Sequence, residues 1–389
     1  MVYFTDMFDE WFNGSIFLYI AIYFVCIGLG FLAQSKTNRS RYNINGLAFV
    51  ACFLILWFFY VFTKTGNDVQ NYIAIYTESS FDRKWLWGEG LETGYRFINA
   101  ALHAVIKNPY IGLGIIKSIC IGLIFWCIYG MRNQISVGYS IMAYVSLFYF
   151  DSYNLIRIHL AAAICLFGFL LLWKNKKALS FLFACLATTI HTGAILFVAV
   201  YFVYLIYSKG KYAKPFWKIL IIVSVVFIAF GGIKIAEELL SSGFFYERYK
   251  TYMQGGTSIG IMIPVKFLPV FVLLFISYRQ ILYKMGNIGD LFFIFTIYSF
   301  AVALAGYQIG MLSRLSVILM EPFVIYIPFY MKNREMFLSS RRGRYLSRGT
   351  IGLIFFAYYT LWFVVTMSGL LATSGLENYM FCFSEMQGT

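Results

Sequence analysis

The dominant pattern along the 389-residue chain is a series of long apolar runs broken by short polar punctuation. The runs are about 17–22 residues long, the length a helix needs to cross the hydrocarbon core of a bilayer. They lack the two-residue alternation of a membrane barrel strand. Spans are predicted near 16–34, 45–62, 112–130, 136–150, 155–173, 177–190, 191–207, 216–233, 264–283, 290–308, 311–331 and 350–370. The pair 177–207 is short for two crossings. It reads as two short helices, or as a broken pair meeting at Thr188, Thr189, His191, Thr192 and Gly193. No second break, internal repeat or Pro- or Ser-rich linker is visible, so residues 1–389 read as one domain.

Composition agrees. Hydrophobic residues make up 61% of the chain and charged residues 12%, and the mean hydropathy is +0.74. Such a chain cannot present a surface compatible with water, and in lipid only helices and closed barrels satisfy their own backbone polar groups. The expected fold class is therefore an all-α polytopic bundle of about 12 transmembrane helices.

A net charge of +14 would suggest nucleic acid for a soluble protein, but here it reads as a topology signal. The loop of Lys36, Arg39 and Arg41 is assigned to the cytoplasm and the sides are then alternated. The later inner loops then hold Arg132; Lys174, Lys176 and Lys177; Lys209, Lys211, Lys214 and Lys218; Arg279 and Lys284; and the run from Lys332 to Arg348. In all, 19 of 31 basic residues fall inside and only Asp290 and Glu335 of 17 acids, as the positive-inside rule requires. Both termini are predicted outside. No cleavable signal peptide is visible. The seven cysteines are scattered singly and give neither a disulfide framework nor metal-ligand spacing.

Two outer segments, near 63–109 and 234–263, are longer than a connection needs. The first carries Asp68, Tyr72, Tyr76, Trp85, Trp87, Glu92 and Tyr95, and its end, Tyr95–Ile106, is apolar at helical spacing. Carboxylates beside aromatic rings suit sugars, and with no paired acidic motif the site is expected to need no metal. The second contains Arg248, a further candidate for binding substrate.

Ionisable groups inside spans are costly and point to function. Arg157 lies about one turn into the fifth span, after Asp151 and Asn154, and Asn154 and Arg157 are expected on one helix face. Arg314 opens the eleventh. Both arginines lie toward the outer side, against the charge rule, and two guanidiniums there suit a phosphate. Glu321 reads as a buried structural partner. His191 is placed to exchange a proton, whereas His159 projects to another face and reads as structural. No phosphate-binding loop, dinucleotide fingerprint, zinc helix or nucleophile elbow is present, so no cofactor is expected. The substrate should bring its own leaving group.

One ordered set of motifs carries a resemblance: Thr65-Gly66-Asn67-Asp68 with Tyr72; Glu92-Thr93-Gly94-Tyr95 with Asn99; Phe150-Asp151-Ser152-Tyr153-Asn154-Leu155-Ile156-Arg157; Ile190-His191-Thr192-Gly193; and Ser313-Arg314-Leu315. Over roughly residues 60–330 the chain resembles the EpsG/Wzy-type group of bacterial polysaccharide polymerases. The resemblance implies a GT-C-like membrane glycosyltransferase at the outer face of the bacterial inner or plasma membrane. Undecaprenyl-diphosphate-linked glycan would be donor and acceptor, and a chain-length regulator is a possible partner. It implies that Arg157 and Arg314 hold the donor diphosphate and that His191, Asp68 or Glu92 activates the acceptor hydroxyl. Tyr72, Tyr95, Asn154, Asp151 and Arg248 complete the expected substrate-binding set. A ligase-type transferase would use the same donor. A flippase or transporter would be expected to show discontinuous helices in paired halves.

Overall fold

The computed structural model describes residues 15–34, 44–88, 90–209, 219–228, 265–273, 285–308, 310–338 and 348–383, with Phe216, Glu238 and Met386. The described residues are helical, apart from connections and one isolated bridge between Thr63 and Phe381. The helices are α1 (Ser15–Gln34), α2 (Ile44–Val61), α3 (Val69–Thr77), α4 (Arg83–Leu86), α5 (Thr93–Val105), α6 (Pro109–Met131), α7 (Val137–Tyr144), α8 (Ile156–Trp173), α9 (Lys177–Ile190) and α10 (Ile195–Lys209). They continue with α11 (Ile219–Ile228), α12 (Asn287–Gln308), α13 (Gly310–Met320), α14 (Phe323–Leu338) and α15 (Arg348–Ser374). By length and composition, six described segments can cross a membrane: Ser15–Gln34, Pro109–Met131, Ile156–Trp173, Asn287–Ala305, Leu315–Asn333 and Thr350–Met367. Shorter apolar helices occupy most of the other predicted spans.

Helix α8 is the axis of the bundle. Nearly every one of its residues is buried, because α6, α9 and α13 pack around it. A helix apolar all round is stable only when surrounded in this way. Helices α1, α2, α6 and α15 instead show apolar side chains outward, among them Phe24, Leu54, Trp126 and Leu361, as a lipid-facing surface requires.

The connections sort to two ends. At one end Ser136 Oγ donates to Gln34 Oε1 at 2.5 Å, Trp173 Nε1 donates to Gln134 Oε1 at 3.0 Å, and Lys332 Nζ donates to the carbonyls of Arg132 and Asn133. Here α8 turns into α9 through Asn175 at φ 59°. The Lys176 N–H reaches the Leu171 carbonyl and the Asn175 N–H the Leu172 carbonyl, the paired bonds of a Schellman C-cap. At the opposite end the chain's last segment closes over its first. The Lys64 N–H donates to Met380 O, the Cys382 N–H to Phe62 O, the Tyr379 N–H to Ser15 Oγ, and Tyr19 Oη to Leu376 O. Lys117, fully inside α6, donates to Thr63 O at 3.1 Å beside that closure. The basic loops at Arg132, Lys174–Lys177 and Lys332 share one end, and the 63–109 segment shares the other with Ser15 and the tail.

Three departures from the predicted spans stand out. The fourth span leaves α-geometry: α7 passes into a π-turn, Val145–Tyr149, and a 3-10 turn, Asp151–Tyr153. The eleventh is interrupted at Glu321–Pro322, between α13 and α14, where Pro322 lacks an N–H and crowds the preceding turn. The 190–194 region is broken as anticipated, by the 3-10 turn Thr192–Ala194. The described helices are therefore interrupted more often than the single break their hydropathy suggests, and α14 is itself kinked at Asn333, φ −106° and ψ 18°. The predicted long outer segment 63–109 is built of α3, α4 and α5, whereas 234–263 lies outside the described residues except for Glu238.

Candidate active site

The site is organised around Glu92. This residue caps the N-terminus of α5 in extended conformation, φ −70° and ψ 140°, yet its side chain makes no capping bond. Capping its own helix is the usual use of an acceptor at this position. The carboxylate instead reaches two other elements. Oε2 accepts from Arg157 Nη1 at 2.8 Å, on the first turn of α8. Oε1 accepts from the Thr192 N–H at 2.9 Å and from Thr192 Oγ1 at 2.8 Å, in the turn between α9 and α10. Glu92 is 4% exposed and Arg157 12%, so this is a largely buried ion pair, not a solvated loop charge.

Gly94 makes the arrangement possible. A β-carbon there would lie 2.7 Å from the Thr189 carbonyl oxygen and collide with that residue's side chain. The absence of a side chain lets the start of α5 sit on the end of α9, within reach of Thr192. Tyr95, also on α5, presents its ring 5.9 Å from the guanidinium carbon, a cation–π distance. Tyr72 meets Tyr95 edge-on at 6.3 Å.

His191 occupies the same turn and is buried. Its Nδ1 accepts from the Gly193 N–H at 3.0 Å. That bond fixes the tautomer of a neutral ring, leaving Nε2 to carry the proton. Burial pushes the Glu92 carboxyl upward, but the Arg157 guanidinium and the two Thr192 donors outweigh it and hold the group below the usual carboxylate value.

The expected residues are thus brought together unequally. Glu92, Arg157, Tyr95, Tyr72 and His191 form one connected cluster. Asp68 stands beside it: Gly66, at φ 122°, turns the chain so that the Asp68 N–H meets Asn154 Oδ1 at 3.4 Å. Asn154 does not share a helix face with Arg157, as its spacing suggests. It lies in the turn before α8, whose first residue is Ile156. Tyr95 is completely buried, so its ring is placed against Arg157 and not for stacking on a sugar. Asp151 faces His159. Arg248 and the side chain of Arg314 lie outside the described residues, but Leu315, the next residue in α13, crowds Gly193. Thr192 stands in the predicted break and in the Ile190–Gly193 motif, but its small hydroxyl carries no charge signal that would give it a site role, and nothing in the sequence singles out Arg96. Arg96 is buried in α5, lies over Trp85 at 5.2 Å and donates to the carbonyls of Trp85 and Leu91, which ties α4 to α5.

With this geometry in view, comparison with known families is decisive. The model of the EpsG family matches residues 46–381. The chain belongs to the EpsG family. The match takes in every element of the cluster, from the 63–109 segment through α13, and also the closing tail. This EpsG-family membership is consistent with a polysaccharide-polymerase-type function and a glycosyltransferase-type enzyme. No curated protein and no solved structure matches the chain.

Proposed function

We propose that this EpsG-family protein polymerises undecaprenyl-diphosphate-linked oligosaccharide units at the outer face of a bacterial cell membrane. The growing glycan would pass from its lipid carrier to a sugar hydroxyl of a new lipid-linked unit. The observation that carries this reading is the buried Glu92–Arg157 pair, anchored on the Thr192 turn at the bundle end remote from the basic loops.

An arginine in an apolar bundle needs a counter-charge to stay there, and Glu92 supplies it. The pair fixes the plane of a guanidinium suited to the oxygens of a diphosphate. The charge that builds on the diphosphate as it leaves is what such a group stabilises. Arg314 is assigned the second position, on the helix that meets Gly193. The His191 tautomer supports a role as a hydrogen-bond donor through Nε2 rather than as a base. Glu92, held ionised and occupied by three donors, is likewise a poor proton acceptor and serves to position Arg157. No metal or cofactor is assigned to the reaction.

The test is chain length in cells and in vitro. Arg157→Ala and Arg314→Ala are each expected to abolish long polymer while single lipid-linked repeats accumulate on the outer leaflet. Normal chain lengths in either variant reject that arginine's role, and repeats trapped on the cytoplasmic leaflet reject polymerisation in favour of transport.

A further inference from the structure

Helix α8 carries a second ionisable residue, His159, two positions beyond Arg157 and on another face. Its ring lies between two carboxylates: Nε2 is 3.8 Å from Asp151 Oδ2, and Nδ1 is 3.7 Å from Glu321 Oε2. His159 and Glu321 are 0% exposed, whereas Asp151 is 26% exposed. Among the described residues, neither ring nitrogen and neither Glu321 oxygen makes a hydrogen bond. Buried polar atoms are almost always satisfied, and an unsatisfied cluster of them in a membrane protein marks a functional position.

The placement is as informative as the chemistry. Asp151 opens the 3-10 turn between α7 and α8, and Glu321 stands at the break between α13 and α14. One carboxylate thus stands in the connection that leads into α8 and the other at the break between α13 and α14, and His159 lies between them in the core. Lys266, from segment 265–273, donates to the Leu147 carbonyl in the adjoining π-turn and interacts with both carboxylates. When all four groups are ionised their charges cancel, which lets them persist in an apolar interior. The other titratable groups felt by Glu321 are Cys120 and Cys127 of α6, Tyr144 of α7 and Cys165 of α8. All are ordinarily neutral near pH 7.

We propose that Asp151 is the general base of glycosyl transfer, held in place by His159 and, through it, by Glu321. The assignment rests on the polymerase reading above. It meets a need the Glu92 cluster leaves open, because Glu92 and His191 are committed to other bonds. The acceptor O–H bond breaks and its proton goes to an Asp151 carboxylate oxygen. The hydroxyl oxygen's electron pair forms the new bond to the anomeric carbon. The bond from that carbon to the diphosphate oxygen breaks, and its electron pair leaves with the lipid diphosphate. The proton on Asp151 then passes to water at the exposed side of that carboxylate. Asp151 shares its turn with Asn154 and lies six residues before Arg157, so base and diphosphate ligand flank the start of one helix. His159 and Glu321 are positioning residues, since both are fully buried.

The experiment uses the purified full-length chain with a defined lipid-linked repeat unit, its initial rates followed over roughly pH 3–9 so that a carboxylate's acidic limb falls within the range. Asp151→Asn is expected to lower kcat by about 10²–10⁴-fold with KM within about threefold, and Asp151→Glu to restore part of the loss. Glu321→Gln, nearly isosteric, is expected to lower kcat about tenfold and displace the acidic limb of the profile without changing KM. A purely structural role for Glu321 would not move that limb. Asp151→Asn with wild-type rates and profile overturns the proposal while leaving polymerisation standing. So does a comparable loss confined to Asp68→Asn. Wild-type protein that makes no polymer overturns both readings. If Asp151→Asn fails to fold, the Asp151→Glu and Glu321→Gln profiles decide: an unshifted acidic limb in both rejects the assignment.

Discussion

Glu92→Gln is the sharpest single perturbation of this molecule. The substitution keeps shape and removes one charge. At present three donors converge on the carboxylate: Arg157 Nη1, the Thr192 N–H and Thr192 Oγ1. A glutamine offers one oxygen and one NH₂. If the oxygen faces Arg157, the NH₂ meets the Thr192 N–H, donor against donor. If the oxygen faces Thr192, the NH₂ meets the guanidinium. Either way one buried donor is orphaned, and Arg157, 12% exposed, loses its counter-charge. Breaking one side of a buried pair typically costs about 3–5 kcal/mol, or roughly two to four decades if it falls wholly on transition-state binding. Unfolding in detergent and polymerisation kinetics together should account for that total. A cycle with Arg157→Gln is expected to give a coupling of about 1–3 kcal/mol. Acid titration supplies an independent check. Glu92 is held below the ordinary carboxylate value, so its stabilisation is complete above about pH 4.3 and fades as pH falls through the lower folded value. Glu92→Gln should therefore flatten the acid end of the stability profile. Losses that simply add across the cycle, or a glutamine variant as stable and active as the parent, would refute the reasoning.

Three further outcomes are expected. Gly94→Ala should force α5 from α9 at Thr189, at about 1–3 kcal/mol for overpacking, and reduce polymer yield at least tenfold while the protein remains monodisperse on gel filtration. His191→Gln retains an N–H donor but no base, so it should lose about tenfold in kcat with an unchanged pH profile, and a lost limb in that profile would restore His191 as the base. Single cysteines replacing Trp87 and Lys176 should react from opposite sides of the membrane with an impermeant thiol reagent, the first in intact cells and the second only after permeabilisation.

How much of this was legible in the sequence follows from what hydropathy can carry. Span positions are written in the length of apolar runs, and the alternation of ends in the basic loops, so the helices fall close to where they are predicted. Interruptions inside an apolar run leave little trace. Val145–Tyr149 has no residue that announces a π-turn, whereas the break at Glu321–Pro322 is marked by its proline but lies in a stretch whose hydropathy stays high on both sides. Lys117 is hidden in the same way, a single charge in a long run whose partner, the Thr63 carbonyl, is set by tertiary packing. At the site, residue types were readable but partnerships were not. Glu92 and Arg157 are 65 positions apart, and nothing local says that the carboxylate leaves its own helix to bind the guanidinium. In the sequence His159 reads as structural because it points away from Arg157. That direction is what takes it between Asp151 and Glu321.

The central claim, that a charge-paired arginine cluster at one end of the bundle joins lipid-linked glycan units, is tested most directly by polymerisation from purified components. The assay needs only this protein in detergent or liposomes and a defined undecaprenyl-diphosphate-linked repeat unit, with products resolved by length. The account predicts a ladder of longer lipid-linked glycans with release of the lipid diphosphate, lost in Arg157→Ala. Unextended units in the presence of active-folded protein, or a ladder undiminished in Arg157→Ala, would contradict it.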